Sequence, residues 1–418
     1  MTGATSTTTS LAVGQRSVLA PFRRYPLWPP LTYGDPEHNA DDLAYPLEVE
    51  YDMAEARTRF PRGPRNGSMM SWQPLLPPLL PELDMGGGNT PLIEAPSLAG
   101  AMGRTGSVFL KDESQNPTWS HKDRLNYCTI SAAVQVRAPG VVVASSGNHG
   151  ASAAAYSARA GLPCVVIASS DAPPAIYNFI RAYGAALLPV PTESRWTIMN
   201  QVVERFGFHP VSNLTPGGHT GHPFGPEGYK TIAYEVYSQL GKHAPDAVVV
   251  PCGYGELLFG IWKGFVELRD LGMTTHVPRI FAVEPANRGP LHQAVATGTD
   301  VAHVAAGLTS AYSIGTTIGG YRALLAVRGS GGGSIVVSDG ELQAAQATLA
   351  RAGLWQELAG AAGVAGLLHS PNIVGEGTVV CILTSSGFKD EGLNYTAPEP
   401  LQPAWPAIEA ALHQYGID

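Results

Sequence analysis

The sequence has little charge and very little lysine. Asp, Glu, Lys and Arg make up 14% of the 418 residues, well below the roughly one quarter of an average globular protein, and lysine occurs at six positions. The net charge of −8 disfavours binding to a nucleic-acid backbone. Long apolar runs are also missing, because no stretch of about 18 apolar residues occurs. We therefore expect neither a nucleic-acid partner nor a membrane partner, and each lysine becomes a candidate for chemistry.

Cysteine is sparse as well. The four cysteines, Cys128, Cys164, Cys252 and Cys381, are far apart and form no C-x-x-C pair. The last three lie in apolar runs, which favours buried free thiols and a reducing compartment. The first ten residues, MTGATSTTTS, lack the basic and apolar regions of a secretory signal. We expect a cytoplasmic protein.

The chain is instead rich in glycine and proline, with 48 and 35 residues. Residues 1–15 are small and polar, which predicts a disordered tail. Residues 16–84 are Pro-rich, which predicts an irregular arm over the body, since Pro-Pro runs cannot enter helix interiors or central strands. The glycine-rich patch at 329–334 predicts a flexible loop.

From about residue 85 onward, short apolar runs alternate with Ala-rich helical stretches. The predicted strands lie at 107–113, 141–146, 163–169, 185–191, 246–253, 279–285 and 378–386. The predicted helices lie at 121–137, 152–161, 173–184 and 195–207, and near 227–240 and 257–270. This alternation predicts an α/β protein with parallel sheets covered on both faces. Ligands of open parallel sheets bind on the loops at the carboxyl ends of the strands, and four such loops carry unusual residues.

The loop NPTWSHKDR (116–124) places Lys122 just inside a predicted helix start. A lysine in an apolar setting at the positive end of a helix is disfavoured as a cation. Its pKa therefore falls, and the neutral amine becomes available for Schiff-base chemistry. The alternative is a solvated helix lysine paired with Asp123.

Three further loops are ambiguous when each is taken alone. The loop SSGNHG (145–150) suits either an anion site at a helix N-terminus or an ordinary capped turn. Gly253 and Gly255 allow a phosphate to approach the backbone, but they complete neither a nucleotide P-loop nor a dinucleotide fingerprint. In TSSGFKD (384–390), Thr384 offers a hydroxyl that could meet a heteroaromatic nitrogen or simply end the strand.

The order of these loops is more specific than any one of them. In chain order the motifs are GGNTPL (87–92), NPTWSHKDR (116–124), SSGN (145–148), EGYKTIAYE (227–235), GYGELLFGIWKGF (253–265) and TSSGFKD (384–390). The series resembles the fold type II pyridoxal-phosphate enzymes of the tryptophan synthase β superfamily, and among them most closely the threonine synthase branch.

The resemblance implies a fold, a cofactor and an assembly. It implies two open parallel-sheet α/β domains with pyridoxal 5'-phosphate in the cleft between them. The larger domain would comprise residues 85–120 and 240–418. The smaller domain, residues 121–239, would be inserted between these two parts. The resemblance also implies an amino-acid substrate and a homodimer.

The resemblance implies a role for each motif residue in turn. Lys122 would be the catalytic residue and would hold the cofactor as a Schiff base. The other cofactor contacts would come from His121, from Asn148 at the ring hydroxyl, from Gly253, Tyr254, Gly255, Glu256 and Leu257 at the phosphate, and from Thr384 at the pyridine nitrogen. The substrate would be framed by Ser145, Ser146, Gly147 and His149, together with Trp119 and His222.

Several positions depart from the family pattern. Trp119 stands where the family usually has glycine, and its alternative role is packing against the Pro-rich arm. Glu256 stands in the phosphate loop, where a carboxylate is unfavourable unless it points away or pairs with a cation. His222 and Gly225 replace an Asn and an Arg that help threonine synthases to hold the substrate phosphate, and losing the Arg removes a strong charge-assisted contact. His219 and His222 have a spacing that could bind a metal ion, but no cysteine or carboxylate accompanies them. We therefore predict a flexible lid there and no metal site.

These features predict an elimination or replacement reaction on an amino acid that carries a leaving group at Cβ or Cγ. A hydroxyl partner for the pyridine nitrogen favours this chemistry over transamination, because the cofactor is then a weaker electron sink. The alternative is a threonine synthase that acts on O-phosphohomoserine. Two further alternatives are a non-catalytic binding paralogue and, from the glycine loop alone, a nucleotide-binding protein.

Overall fold

The structure, a computed structural model, describes residues 9–39, 43–63, 67–170, 174–215, 218–389 and 400–417. The strands are β1 Ala12–Ser17, β2 Arg24–Tyr25, β3 Leu47–Tyr51, β4 Leu92–Glu94, β5 Val108–Asp112, β6 Val141–Ala144, β7 Cys164–Ser169, β8 Ala186–Val190, β9 His209–Pro210, β10 Ala247–Pro251, β11 Arg279–Pro285, β12 Gly333–Val337 and β13 Val379–Leu383. The α-helices are α1 Met53–Arg59, α2 Pro96–Ala101, α3 Lys122–Gln135, α4 Asn148–Ala160, α5 Pro174–Ala182, α6 Arg195–Phe206, α7 Gly225–Gln239, α8 Glu256–Asp270, α9 Pro290–Thr297, α10 Tyr321–Ser330, α11 Asp339–Arg351, α12 Ala362–His369 and α13 Trp405–Gln414.

The larger sheet combines strands from both halves of the chain. In the described residues it has six strands in the order β12-β11-β10-β13-β5-β4, and every pair is parallel except the antiparallel edge pair of β4 with β5. Alternate residues of β10 enter different cores, since Val248 and Val250 face one cluster and Ala247 and Val249 face the other. Helices therefore cover both faces of this sheet, as the fully apolar strands predict.

The smaller sheet is wholly parallel. Its order among the described residues is β8-β7-β6-β9, with β6 paired to β7 and to β9. Val141 and Val143 of β6 belong to the same buried cluster as Val248 and Val250 of β10, so one continuous core joins the two sheets. The predicted α/β class with two open parallel sheets is confirmed, whereas the predicted domain boundaries stay a prediction.

The N-terminal arm is more regular than its composition indicates. β1 pairs antiparallel with both β2 and β3, so these three strands form a small sheet of their own. The predicted disordered tail is wrong for residues 12–15, which lie in β1, while residues 1–8 are outside the described part of the chain. Valine, tyrosine and leucine in LEVEY favour a strand despite the surrounding prolines.

The glycine-rich patch is also ordered, so the predicted flexible loop at 329–334 is wrong. α10 ends at Ser330, Gly331 turns the chain with φ of +65°, and β12 begins at Gly333. A Cβ on Gly332 would collide with the backbone of Ile280 in β11. Glycine is therefore required here for close strand approach.

Within the described residues, none of the helices is long and apolar enough to cross a membrane. All four cysteines are buried and free. The last helix, α13, has no buried residue of its own.

Candidate active site

The carboxyl end of β13 meets the start of α3, and this junction is the centre of the site. The carbonyl oxygen of Thr384 accepts a hydrogen bond from the His121 backbone N–H at 3.0 Å and lies 3.1 Å from its ring Nδ1. Burial, reinforced by the neighbouring Lys122 charge, holds the pKa of His121 well below its ordinary value. A neutral His121 that donates from Nδ1 therefore fixes the position of Lys122, the next residue.

Lys122 begins α3 and stays partly accessible. Among the described residues, no hydrogen bond or ion pair is found for its Nζ, which lies 5.7 Å from the centre of the Tyr229 ring. Burial lowers the pKa of Lys122, and the carboxylates of Glu256 and Glu357 offset only part of that effect. The amine is therefore positioned to be a neutral nucleophile or base.

Asp123 does not pair with Lys122, so the alternative of a locally paired lysine is wrong. The Asp123 carboxylate accepts hydrogen bonds from the Thr118 backbone N–H at 2.7 Å, the Thr118 hydroxyl at 2.5 Å and the Ser152 hydroxyl at 2.6 Å. Asp123 thus ties the loop before α3 to α4, and leaves the lysine unneutralised.

The loop SSGN lies at the N-terminus of α4, as predicted. The Ser146 hydroxyl accepts the Ser169 N–H, and the Ser145 hydroxyl accepts the Gly147 N–H at 3.3 Å. Gly147 is the residue before the helix and provides no side-chain cap, so the first-turn N–H groups of α4 remain available for an anion. Nε2 of His149 is buried without a partner among the described residues, and burial lowers the pKa of His149 to about 3.

Asn148 is held by three side chains, two of which, Glu357 and Lys389, the sequence did not identify. Its Nδ2 donates to Glu357 at 2.9 Å, while its Oδ1 accepts from the Ser385 hydroxyl at 3.1 Å and from Lys389 Nζ. These acceptor bonds fix the amide orientation, and the bond to Glu357 uses one of the two N–H groups of Nδ2. Glu357 stands in no recognisable motif, whereas Lys389 is part of TSSGFKD and could have been found there.

The glycine loop before α8 forms the second anion site. Gly255 has φ of +85° and directly precedes α8, which has no side-chain cap. A Cβ on Gly255 would collide with Ala323. The first-turn N–H groups of α8, beginning at Glu256 and Leu257, have no side-chain cap and therefore suit a phosphate. Gly253 lies beside Thr316, whose hydroxyl is buried without a partner among the described residues.

Two aromatic side chains flank this loop. The Tyr254 ring stacks on His219 with 4.1 Å between ring centres. Burial holds the pKa of His219 well below its ordinary value, so His219 is neutral and serves as a packing surface. The described residues contain no group of three or more potential metal ligands, so no metal cluster joins His219.

Trp119 and His222 have different surroundings from those expected. Trp119 has φ of +62°, a left-handed conformation that favours glycine, and 43% of the side chain is exposed. Its ring packs edge-on against Phe179 of α5. His222 is fully enclosed: Nδ1 accepts the Phe224 N–H at 3.0 Å and Nε2 lies 2.9 Å from His209 Nε2. Neither ring nitrogen of His222 is left for a substrate.

A buried ion network supports α3 from behind. Arg124 donates to Glu113 at 2.6 Å and to Glu235 at 2.6 Å, and Lys111 donates to Glu235 at 2.8 Å. All four side chains are fully enclosed. The network links β5, α3 and α7, so it holds the helix that carries Lys122.

These groups fit pyridoxal 5'-phosphate. Lys122 supplies an unpaired amine, and the glycine loop supplies the uncapped N-terminus of α8 beside the unpartnered Thr316 hydroxyl. Thr384 is 3% exposed, and the hydrogen bonds found for it use its carbonyl and not its hydroxyl. Its hydroxyl could therefore meet the pyridine nitrogen.

Comparison with known proteins leads to the same group. Residues 83–385 match the family described as pyridoxal-phosphate dependent enzyme. The threonine synthase of Synechocystis sp. is 35% identical over 332 residues, which cover 78% of this chain and 83% of that protein. The threonine synthase of Methanosarcina acetivorans is 31% identical over 353 residues, covering 82% and 84%.

Solved structures share the fold. The threonine deaminase of T.th. superposes with a TM-score of 0.63 at 24% identity and covers 73% of this chain and 94% of its own. Maize serine racemase gives a TM-score of 0.62 at 20% identity, covering 78% and 94%.

The two parallel sheets and the lysine between them are the fold type II arrangement. The chain belongs to the pyridoxal-phosphate-dependent enzyme family. It is a pyridoxal-phosphate-dependent enzyme of the elimination and replacement type.

Proposed function

We propose that Lys122 is the cofactor-binding and catalytic residue of an enzyme that removes or replaces a leaving group at Cβ or Cγ of an amino acid. The observation that carries this proposal is the isolation of the Lys122 amine, which has no ionic partner among the described residues. The other buried lysines have hydrogen-bond or ionic partners: Lys111, Lys230 and Lys263 form ion pairs, and Lys389 donates to neutral oxygens. When bound, pyridoxal phosphate supplies an electron sink for the electron pair left at Cα.

The surrounding residues would hold the cofactor and the substrate in register. The glycine loop (253–257) would bind the phosphate through backbone N–H groups, and Thr384 would meet the pyridine nitrogen. Asn148 would donate from Nδ2 to the ring hydroxyl, because Ser385 and Lys389 occupy its Oδ1. His121 would position Lys122 through the Thr384 carbonyl.

The N-terminus of α4 would bind the substrate carboxylate. Ser145, Ser146, Gly147 and His149 line this helix start, and the dipole of α4 favours an anion there. With the carboxylate fixed, the freed Lys122 amine would take the proton from Cα. Trp119 would close the accessible side of the cleft. We leave His222 out of the substrate site because both its ring nitrogens are occupied.

A threonine synthase is the second candidate. It is favoured by the 35% identity to the protein of that name from Synechocystis sp.. If it is right, purified protein releases phosphate from O-phosphohomoserine and forms threonine. Absence of turnover with that substrate would remove this candidate without affecting the first.

An absorption spectrum tests the proposal. Wild-type protein is expected to show a visible cofactor band that is missing from Lys122→Ala, and an amino acid that shifts the band identifies the substrate class. Glu204→Gln, an exposed change on α6, serves as a control that keeps the band. A wild type that stays colourless with added pyridoxal phosphate would support the non-catalytic paralogue instead.

We also propose a cytoplasmic homodimer with the two-domain division given above. The four buried free cysteines support a reducing compartment. Sedimentation of the purified protein tests the dimer, and a monomeric mass at micromolar concentration would contradict it.

A further inference from the structure

We propose that Tyr229 is a positioning residue for Lys122: the face of its ring holds the ammonium group that Lys122 becomes when it takes the proton from Cα. This inference rests on the proposed function and adds a residue to it. Tyr229 lies in the motif EGYKTIAYE, where the sequence gives it no role. The aromatic ring does this work, and the hydroxyl takes no part in the proton transfer.

Tyr229 lies next to the proposed catalytic amine. Nζ of Lys122 is over the Tyr229 ring, 5.7 Å from its centre. The attraction between a cation and an aromatic face extends to about 6 Å, so the contact is effective but near its limit. Since no hydrogen bond or ion pair is found for Nζ among the described residues, the ring is the contact that defines where the amine lies.

The ring is held by packing and not by its hydroxyl. Tyr229 is fully buried, and its ring centre lies 5.4 Å from that of His121. A Cβ on Gly260 would collide with the Tyr229 Cβ, so α8 packs directly against this side chain. The hydroxyl is buried without a hydrogen-bond partner among the described residues. A phenylalanine could therefore keep the ring in place.

Two consecutive residues at the start of α3 adjoin this one ring. His121 Nδ1 lies 3.1 Å from the Thr384 carbonyl oxygen, and the His121 ring packs against Tyr229. The next residue, Lys122, places its amine over the same ring. Helix α7 thus contributes a rigid side chain to the junction of β13 and α3, and this side chain limits the positions that the amine can take.

The ring distinguishes the two forms of Lys122. In the proton transfer the lone pair of Nζ binds the proton, and the electron pair of the C–H bond stays at Cα. The product is an ammonium group at a place where burial disfavours positive charge. The negative face of the ring attracts this cation but has little effect on the neutral amine. The ring therefore stabilises the product of the transfer and leaves the amine free to react.

A second contact between a lysine and a ring shows what carboxylates would add. Nζ of Lys230 lies 3.9 Å from the centre of the Tyr51 ring, but it also pairs with Glu227 at 2.7 Å and with Glu267 at 2.9 Å. Such ion pairs keep a lysine charged permanently. Lys122 has the ring without the ion pairs, which suits a group that must gain and lose a proton.

Other titratable groups also act on Lys122, and they remain the same when residue 229 is changed. Among the described residues they are two carboxyl groups that raise its pKa and three histidines that burial keeps neutral: Glu256 and Glu357, and His121, His149 and His219. Burial also holds the pKa of Tyr229 well above its ordinary value, so the phenol stays uncharged. A difference between variants therefore reports the ring.

Competitive acetylation of the cofactor-free protein measures how readily Lys122 binds a proton. The acetylated Lys122 peptide is quantified by mass spectrometry as a function of pH, and the midpoint of the curve is the pKa of the amine. Tyr229→Leu should lower this midpoint by about 0.5 pH unit, or about threefold in proton affinity, because the cation loses the ring face. Tyr229→Phe should leave the midpoint unchanged.

The holoenzyme provides a second readout. The acid limb of the pH profile of kcat should move to lower pH by the same amount in Tyr229→Leu and stay in place in Tyr229→Phe. Both variants should keep the visible band. Pentafluorophenylalanine at residue 229 keeps the size of the ring and reverses the charge of its face, so it should lower the acetylation midpoint at least as far as leucine does.

Tyr156 offers a matched control for lost packing. It is also fully buried with an unpartnered hydroxyl among the described residues, and its ring stacks on Tyr127. Tyr156→Leu should lower the free energy of unfolding about as much as Tyr229→Leu does, but it should leave the midpoint of Lys122 in place.

Three results would overturn the inference. An unchanged midpoint with pentafluorophenylalanine contradicts it, whether or not Tyr229→Leu folds. An equal shift in Tyr229→Phe would assign the effect to the hydroxyl, and an equal shift in Tyr156→Leu would assign it to loosened packing. A wild type that stays colourless with added pyridoxal phosphate would remove the proposed function and the catalytic part of this inference. A lowered acetylation midpoint in Tyr229→Leu would still support the contact between the ring and the Lys122 cation.

Discussion

Two buried lysine environments lie on either side of α7, and they differ in their partners. Beneath the arm, Lys230 pairs with Glu227 at 2.7 Å and with Glu267 at 2.9 Å, and Lys263 pairs with Glu227 at 2.7 Å and with Glu48 at 2.9 Å. In the cleft, Lys122 has no such partner among the described residues.

This difference in ionic partners indicates the role of each motif lysine. Burial would raise the pKa of Glu227, but the two ammonium groups outweigh it and hold that pKa below its ordinary value. Lys230 holds the two body carboxylates together, and Lys263 fastens the arm to the body through Glu48 and the Val49 carbonyl. Burial lowers the pKa of Lys122, and the carboxylates of Glu256 and Glu357 offset this only in part, which favours the neutral amine that chemistry needs.

The largest expected effect is on the lysine without a partner. Lys122→Met should reduce turnover by about 10²–10⁴-fold because it removes the proton-transferring amine. The free energy of unfolding should stay the same or rise slightly, since no ion pair is lost and a desolvated amine is removed. Turnover assays and urea denaturation of the cofactor-free protein measure the two quantities. A large loss of stability would show that Lys122 has a structural partner.

The paired lysine should give the opposite result. Lys263→Met leaves the carboxylates of Glu48 and Glu227 short of a buried cation, which should lower the free energy of unfolding by about 3–5 kcal/mol. At urea concentrations too low to unfold Lys263→Met, the visible cofactor band of this variant should persist. Lys242→Met, on the exposed surface, is the matched control and should change stability by no more than about 0.5 kcal/mol. Equal effects of the two variants would contradict the arm-fastening role.

Lys389 is an intermediate case, because it contacts neutral acceptors. Burial lowers the pKa of Lys389 to about 8 from 10.5, although Glu357 and Asp123 oppose the shift. The unfolded chain thus binds more protons between these values, so the contribution of Lys389 to stability rises with pH from about 8 to 10.5. Denaturation of wild type and Lys389→Met at several pH values checks this. Their difference should grow by up to about 1.4 kcal/mol per pH unit, and a flat difference would refute it.

The smallest effect concerns the backbone beside Lys122. Trp119 has φ of +62°, so glycine should be tolerated there better than alanine. Both changes remove the edge-on contact with Phe179, but Trp119→Gly should be about 1 kcal/mol more stable than Trp119→Ala. Thermal denaturation of the two variants measures the difference. Equal stabilities would place residue 119 outside the left-handed region.

The sequence predicts most of the strand ends and helix starts that form the site. Helix starts at Lys122 and Glu256 lie within a residue of their predicted places, because apolar runs and glycine loops are local signals. The end of β13 before Thr384 follows from the same pattern.

Long-range partners were not predictable. Glu357 accepts a hydrogen bond from Asn148, which is 209 positions away in the chain, and His222 contacts His209 of β9. Neither contact leaves a local pattern. The arm strands were missed because proline-rich composition hid the β-branched and aromatic residues of β1 and β3.

The fastening of the arm has a consequence for where this protein can be shortened. The family match begins at residue 83, yet Glu227 and Lys263, both inside it, are satisfied by Val49 and Tyr51 outside it. A fragment that begins at that boundary would lack the arm, and the charged side chains of Glu227 and Lys263 that the arm covers would be exposed. The shortest stable form of this enzyme is therefore longer than the stretch by which it is recognised.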